Sequence, residues 1–89
     1  MIDFSDAAAV LQRGVENHSF PAAVAEVGNA STALWREAWG RLDYDPESPA
    51  TRHDTIFDLA SLTKVIATTS LVMRLIEVGT LRLDQPVGR

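Results

Sequence analysis

Apolar residues recur at spacings of three and four near both ends of the 89-residue chain, and this pattern predicts two helices. The first runs from about Phe4 to Asn17, with Asp3 or Ser5 as its cap. The second runs from about Ala60 to Val78 and is apolar on more than one face. A helix of that kind is expected to be buried nearly all round. Gly79 follows it and predicts a left-handed stop.

The pattern between the helices is typical of strands and turns. Ala22 to Val27 is small or β-branched, a turn cluster begins at Gly28, and Thr32 to Trp39 alternates across a pleat. This predicts a β-hairpin with Trp35 and Trp39 on one face. Two tryptophans on one face can stack on a ligand, but packing within the fold is the better interpretation.

A polar stretch separates the hairpin from the second helix. Gly40 to Asp54 carries two proline dipeptides and is predicted to be a loop. Thr55 to Phe57 is predicted to be a short strand that returns to the sheet. Two helices, a hairpin and a short strand together indicate an α+β fold. The length is that of one domain or part of one.

Composition narrows the classes of function. Hydrophobic residues make up 46% and charged residues 22%, as in an ordinary globular chain. The net charge of −4, with scattered basic residues, argues against nucleic acid and anionic membranes as partners. No apolar run is long enough to span a bilayer. The start lacks a basic and then apolar leader, so a cytoplasmic location is expected, with a mature exported form as the alternative. Without cysteine, and with only His18 and His53, no metal site is expected.

One group of residues points to chemistry, namely Ser61-Leu62-Thr63-Lys64. Residues three apart share a helix face, so the Ser61 hydroxyl and the Lys64 amine can come within hydrogen-bond reach. A serine hydroxyl needs a base to become a strong nucleophile, and a buried lysine can act as that base because burial favours its neutral form. In the first turn of the helix, the Ser61 N–H is also a candidate oxyanion donor.

Structural interpretations compete with this one. The chain has six serines and a single lysine, and most lysines lie on the surface with their stems along apolar neighbours. Asp58 is more readily a helix cap than a site residue. Thr68 and Thr69 are predicted to be buried hydroxyls bonded to backbone carbonyls rather than participants in a reaction.

The segments around this group resemble a known superfamily. They are Thr55 to Thr68 and Leu75 to Val87, preceded by Phe20-Pro21-Ala22-Ala23-Val24, the Gly28 turn and Trp39-Gly40. Together they closely resemble the serine β-lactamase-like superfamily, which includes class C β-lactamases, D-alanyl-D-alanine carboxypeptidases and related esterases. The resemblance implies the amino-terminal part of the β-lactamase/penicillin-binding-protein fold, in which helices flank an antiparallel sheet.

The resemblance also implies roles for residues. Ser61 would be the acylated nucleophile and Lys64 its activating partner, with no metal or organic cofactor. The family's second motif, Tyr-x-Asn, and its third, Lys- or His-x-Gly, do not occur in the 89 residues. Tyr44 is followed by Asp45-Pro46 and is interpreted as loop packing, and His53 is not followed by the required glycine. Family members are several hundred residues long, so the chain is expected to be an amino-terminal portion of one domain.

The predicted function is a serine hydrolase that transfers an acyl group through an acyl-serine intermediate. The substrate would be an ester, a β-lactam or a D-alanyl peptide. The 89 residues alone are expected to be inactive, and to associate with the rest of the domain or with themselves. The alternative is a non-catalytic piece or binding module that completes or contacts a partner chain. The coding sequence after Arg89 distinguishes the two, since the missing motifs would lie there.

Overall fold

The amino-terminal helix predicted for Phe4 to Asn17 is present as α1, Ser5–Glu16, in a computed structural model that describes residues 2–88. Asp3 Oδ1 accepts a hydrogen bond from the Ser5 N–H at 2.8 Å and so supports the start of the helix, but the cap position is held by Phe4 rather than by Asp3 or Ser5 as predicted. This backbone hydrogen bond also lowers the pKa of Asp3. At the other end, the Ser19 N–H donates to the Gly14 carbonyl at 2.9 Å, across His18 at a φ of 56°. This is the left-handed stop that usually falls to glycine.

The predicted hairpin is confirmed as the antiparallel pair β1, Ala22–Gly28, and β2, Ala33–Gly40. Asn29 Oδ1 holds the turn by accepting hydrogen bonds from the N–H groups of Ser31 and Thr32. Glu26 and Arg36 lie opposite each other across the strands and form an ion pair of 2.9 Å. The Asn29 turn and the Glu26–Arg36 ion pair together fix the register of β1 against β2.

The α1 helix packs against both strands of the hairpin, and Phe4, directly before the helix, lies against Trp35. The Trp35 and Trp39 rings lie 5.8 Å apart, and Phe4 stacks on Trp35 at 5.1 Å. Trp39 is the one buried apolar side chain among residues 2–88. Packing, rather than exposure to a ligand, is therefore confirmed for Trp39.

The stretch from Gly40 to Asp54 is a loop, as predicted, but hydrogen bonds tie it to the hairpin. The Arg41 N–H donates to the Pro21 carbonyl at 3.0 Å, and the Thr51 N–H donates to the Gly40 carbonyl at 2.9 Å. The Arg41 guanidinium also donates to the Ser48 carbonyl at 2.7 Å. The Pro21 carbonyl can come close to the backbone at Gly40 because glycine has no Cβ and adopts the φ of 81° found there.

The prediction of a short strand at Thr55 to Phe57 is wrong. These residues form no strand, and the sheet within residues 2–88 consists of β1 and β2 alone. Ile56 is 96% exposed. A strand exists only where a neighbouring strand pairs with it, and three residues of suitable type do not supply that neighbour.

The chain forms two compact units, one ending at Ile56 and the other beginning at Phe57. The second unit holds the predicted helix of Ala60 to Val78, but in three successive forms. A 3₁₀ turn spans Ala60–Leu62, a π-helical segment spans Lys64–Thr69, and the α-helix α2 spans Ser70–Glu77. The expected single α-helix is therefore wrong in its hydrogen bonding, although the span is helical throughout.

The expectation that this helix is buried is also wrong for the described residues. Exposure exceeds half at several apolar side chains along it, namely Leu62, Val65, Ile66, Leu71 and Met73. Burying a helix on several faces takes other elements on each side, and residues 57–88 contain no strand.

The end of the helix is as predicted. Gly79 has a φ of 81°, and the Thr80 N–H donates to the Leu75 carbonyl at 2.9 Å. The Gly79 N–H donates to the Ile76 carbonyl at 3.0 Å, which completes a Schellman motif. No helix within residues 2–88 has the length and apolar character needed to cross a membrane.

Candidate active site

The structure brings the Ser61 hydroxyl and the Lys64 amine together. Lys64 Nζ donates a hydrogen bond to Ser61 Oγ at 3.1 Å. Ser61 lies in the 3₁₀ turn, and Lys64 is the first residue of the adjoining π-helical segment. The contact predicted from their spacing is therefore confirmed, and a proton can pass between the two atoms directly.

The chain enters the Ser61 turn through a constrained backbone. Asp58 Oδ1 accepts a hydrogen bond from the Ala60 N–H at 2.9 Å, so its role is structural, but the cap position is held by Leu59 and the prediction of Asp58 as the helix cap is wrong. Ala60 itself has a φ of 47°, in the left-handed region that costs a residue with a Cβ roughly 1–2 kcal/mol. The Leu62 N–H donates to the Leu59 carbonyl at 2.9 Å and closes the turn. Ser61 is thus presented from a tight, strained turn, a feature that sequence periodicity does not report.

The π-helical segment places two hydroxyls on backbone carbonyls five residues earlier. Thr69 Oγ1 donates to the Lys64 carbonyl at 2.8 Å, and Ser70 Oγ donates to the Val65 carbonyl at 3.4 Å. The carbonyl bond predicted for Thr69 is confirmed. For Thr68, no hydroxyl hydrogen bond occurs among residues 2–88, and both threonines are exposed rather than buried as expected.

Both atoms of the Ser61–Lys64 pair belong to exposed residues. The sequence predicted that Lys64 is buried, but the described residues do not bury it. Residues 57–88 contain no strand that could pack against the helix. A surface depression of about 310 Å³ in the same unit is lined by apolar side chains that include Val72, Ile76 and Leu81. Neither Ser61 nor Lys64 is among its lining residues, so it does not extend the site.

Tyr44 and His18 form a contact in the unit that ends at Ile56. The Tyr44 hydroxyl donates to the His18 carbonyl at 2.9 Å, and the two rings lie 4.7 Å apart. This confirms the loop-packing interpretation of Tyr44. Within residues 2–88, no group of three or more His, Asp or Glu side chains is placed to hold a metal ion.

Comparisons with known proteins add an independent observation. The model of the family described as Beta-lactamase matches residues 7–89. The chain is 40% identical over 81 residues to Esterase EstB of Burkholderia gladioli. That alignment covers 91% of the chain and 20% of the esterase, so the chain spans about a fifth of its relative's length. The search of solved structures found no match.

Proposed function

The chain belongs to the Beta-lactamase family, and from this premise we propose that it carries the nucleophile of a serine hydrolase. The observation that supports the proposal most directly is the 3.1 Å hydrogen bond between Lys64 Nζ and Ser61 Oγ. The reaction is acyl transfer on an ester, a β-lactam or a D-alanyl peptide. Ester hydrolysis is the first substrate class to test, because a relative 40% identical to the chain is named an esterase.

In this mechanism, the neutral amine of Lys64 accepts the proton of the Ser61 hydroxyl as Oγ attacks the carbonyl carbon. The tetrahedral intermediate collapses to an acyl-serine, and the proton held by Lys64 passes to the leaving alcohol or amine, which in a β-lactam stays attached through the opened ring. A water molecule then attacks the acyl-serine, releases the acid and returns the proton to the Ser61 oxygen. The Ser61 N–H is proposed as one donor to the oxyanion.

The lysine must be neutral for this chemistry, and burial is what favours a neutral amine. The described residues leave Lys64 exposed. We therefore propose that Lys64 is covered in the complete protein, by which we mean the chain together with the rest of the family's fold. The same structure would cover the apolar side chains exposed between Leu62 and Met73.

A second candidate function comes from a different class. The exposed Ser61–Lys64 pair, and the lack of Tyr-x-Asn and Lys- or His-x-Gly within the 89 residues, favour a binding module without catalysis. Such a module would use its exposed apolar face to contact a partner chain. The two candidates differ in whether Ser61 becomes acylated.

The decisive experiment is covalent labelling of the complete protein with a fluorophosphonate, followed by mass spectrometry of the Ser61 peptide. We expect the probe's mass on that peptide and its loss in Ser61→Ala. Ser31→Ala is the matched control, because Ser31 lies in the hairpin turn and should label as the unchanged protein does. Labelling that persists in Ser61→Ala would refute the assignment of Ser61, and a complete protein that takes up no probe on the Ser61 peptide would favour the binding module.

A further inference from the structure

The helix that carries Lys64 departs from α-helical geometry directly after the Ser61 turn. The segment Lys64–Thr69 is π-helical, which means that its hydrogen bonds reach back five residues instead of four. π-helical turns are rare and occur mostly as short interruptions of α-helices, often at functional sites. Here the interruption begins at the residue whose amine contacts Ser61 Oγ.

Two side chains match this wider turn. In an α-helix, a threonine or serine hydroxyl reaches the carbonyl three or four residues earlier. Thr69 Oγ1 instead donates to the carbonyl of Lys64, five residues earlier, at 2.8 Å. Ser70 Oγ repeats the spacing on Val65, at the longer distance of 3.4 Å. The stronger of the two bonds therefore ends on the backbone of Lys64 itself.

The Thr69 hydrogen bond fixes the Lys64 peptide in the orientation required by the π-helical turn. One extra residue in a turn rotates the remainder of the helix by about 100° relative to a continuous α-helix. Lys64 is the first residue of that turn and Ser61 precedes it, so loss of the Thr69 hydrogen bond would free the Lys64 carbonyl and alter the direction of the Lys64 side chain relative to Ser61. The 3.1 Å contact between Nζ and Oγ tolerates little such change, because a hydrogen bond weakens steeply when its length and angle depart from their optimum.

We propose that Thr69 is a positioning residue for Lys64. Its hydroxyl holds the Lys64 carbonyl and thereby keeps the amine in reach of the Ser61 hydroxyl, without touching substrate. The inference rests on the proposed function, since it assigns Thr69 a part in activating the same nucleophile. It predicts a defect in the chemical step and not in substrate binding.

The test is steady-state hydrolysis of a p-nitrophenyl ester by the complete protein and its variants. Thr69→Val removes the hydroxyl and keeps the shape, and it should lower kcat about three- to tenfold, the range expected for one lost hydrogen bond, with KM within about twofold. Thr69→Ser restores the donor and should return kcat to within about twofold of the unchanged protein. Thr68→Val is the matched control, because the Thr68 hydroxyl donates no hydrogen bond among residues 2–88, and it should leave both constants unchanged.

Three results would overturn the proposal. They are an unchanged kcat in Thr69→Val, an equal loss in Thr68→Val, and a Thr69→Ser variant as slow as Thr69→Val. If Thr69→Val does not fold, Thr69→Ala removes the same hydroxyl and is judged against Thr69→Ser by the same criteria. Ser61→Ala, measured alongside, separates the two claims. An inactive Ser61→Ala with a fully active Thr69→Val removes only the role of Thr69, whereas a fully active Ser61→Ala removes the proposed function and this inference with it.

Discussion

Gly40 and Gly79 provide a matched test of how the fold uses left-handed backbone. Both have a φ of 81°, so alanine at either position carries a similar conformational penalty of roughly 1–2 kcal/mol. Alanine also reduces the entropy of the unfolded chain, which offsets about 0.4–1 kcal/mol of that penalty. Conformation alone therefore predicts a net destabilisation of about 1 kcal/mol at each site.

The surroundings of the two glycines differ completely. A Cβ at Gly79 would meet nothing within 4 Å. A Cβ at Gly40 would clash with the Pro21 carbonyl oxygen and lie 3.2 Å from Val15 Cγ1. The Pro21 oxygen cannot simply move away, because it accepts a hydrogen bond from the Arg41 N–H at 3.0 Å. Gly40→Ala therefore adds an overpacking cost of about 1–3 kcal/mol to the conformational one.

We expect Gly79→Ala to lose about 1 kcal/mol and Gly40→Ala about 2–4 kcal/mol of unfolding free energy. The assay is equilibrium urea unfolding of the complete protein, followed by tryptophan fluorescence, with free energies compared at unchanged slope. Trp39 precedes Gly40 in β2 and reports on the affected region. Equal losses in the two variants would refute the reasoning, because they would show that the Pro21 contact adds nothing to the conformational penalty.

Further predictions concern the site, the hairpin and the isolated chain. Lys64→Ala should lower acylation of Ser61 in the complete protein by several orders of magnitude, measured by fluorophosphonate labelling rates, and an unimpaired variant would make the lysine structural. Arg36, by its hydrogen bond, lowers the pKa of the Glu26 carboxyl, so the pair's stabilisation is present above the ordinary glutamate pKa and is lost as the pH falls through the lowered value. An NMR titration should find that pKa raised in Arg36→Met, and an unchanged value would contradict the ion pair. The isolated 89 residues should be partly molten or self-associating and should hydrolyse esters no faster than Ser61→Ala. A monodisperse monomer with a sharp melt, or turnover that depends on Ser61, would contradict this.

Local sequence signals predicted much of the architecture. The three- and four-residue spacing in α1 and the turn residues around Asn29 are local properties, and both elements fall within about a residue or two of their predicted ends. The same holds for Gly79, since a glycine after the last apolar position directly favours a left-handed stop. The Ser61–Lys64 contact was also predictable, because residues three apart share a face of a 3₁₀- or α-helical turn.

The predictions that proved wrong concern properties that depend on contacts with other parts of the fold. Thr55 to Phe57 has the residue types of a strand, but pairing depends on a neighbour that is distant in sequence. The burial of the second helix likewise depends on elements packed against it, and residues 57–88 contain no strand to cover it. Strand pairing and helix burial both depend on neighbouring elements, so the residue pattern of a segment does not reveal them.

The sequence by itself therefore determined the helices, the hairpin, the family and the pairing of Ser61 with Lys64, because each depends on short spacings or on the residues themselves. Only the tertiary structure decided the left-handed Ala60 and the π-helical turn, in which the Thr69 hydroxyl bonds the Lys64 carbonyl. An α-helix and a π-helix differ by one residue per hydrogen-bonded turn, too small a difference for hydrophobic spacing to distinguish over six residues. The choice between them is made by three-dimensional hydrogen-bond geometry.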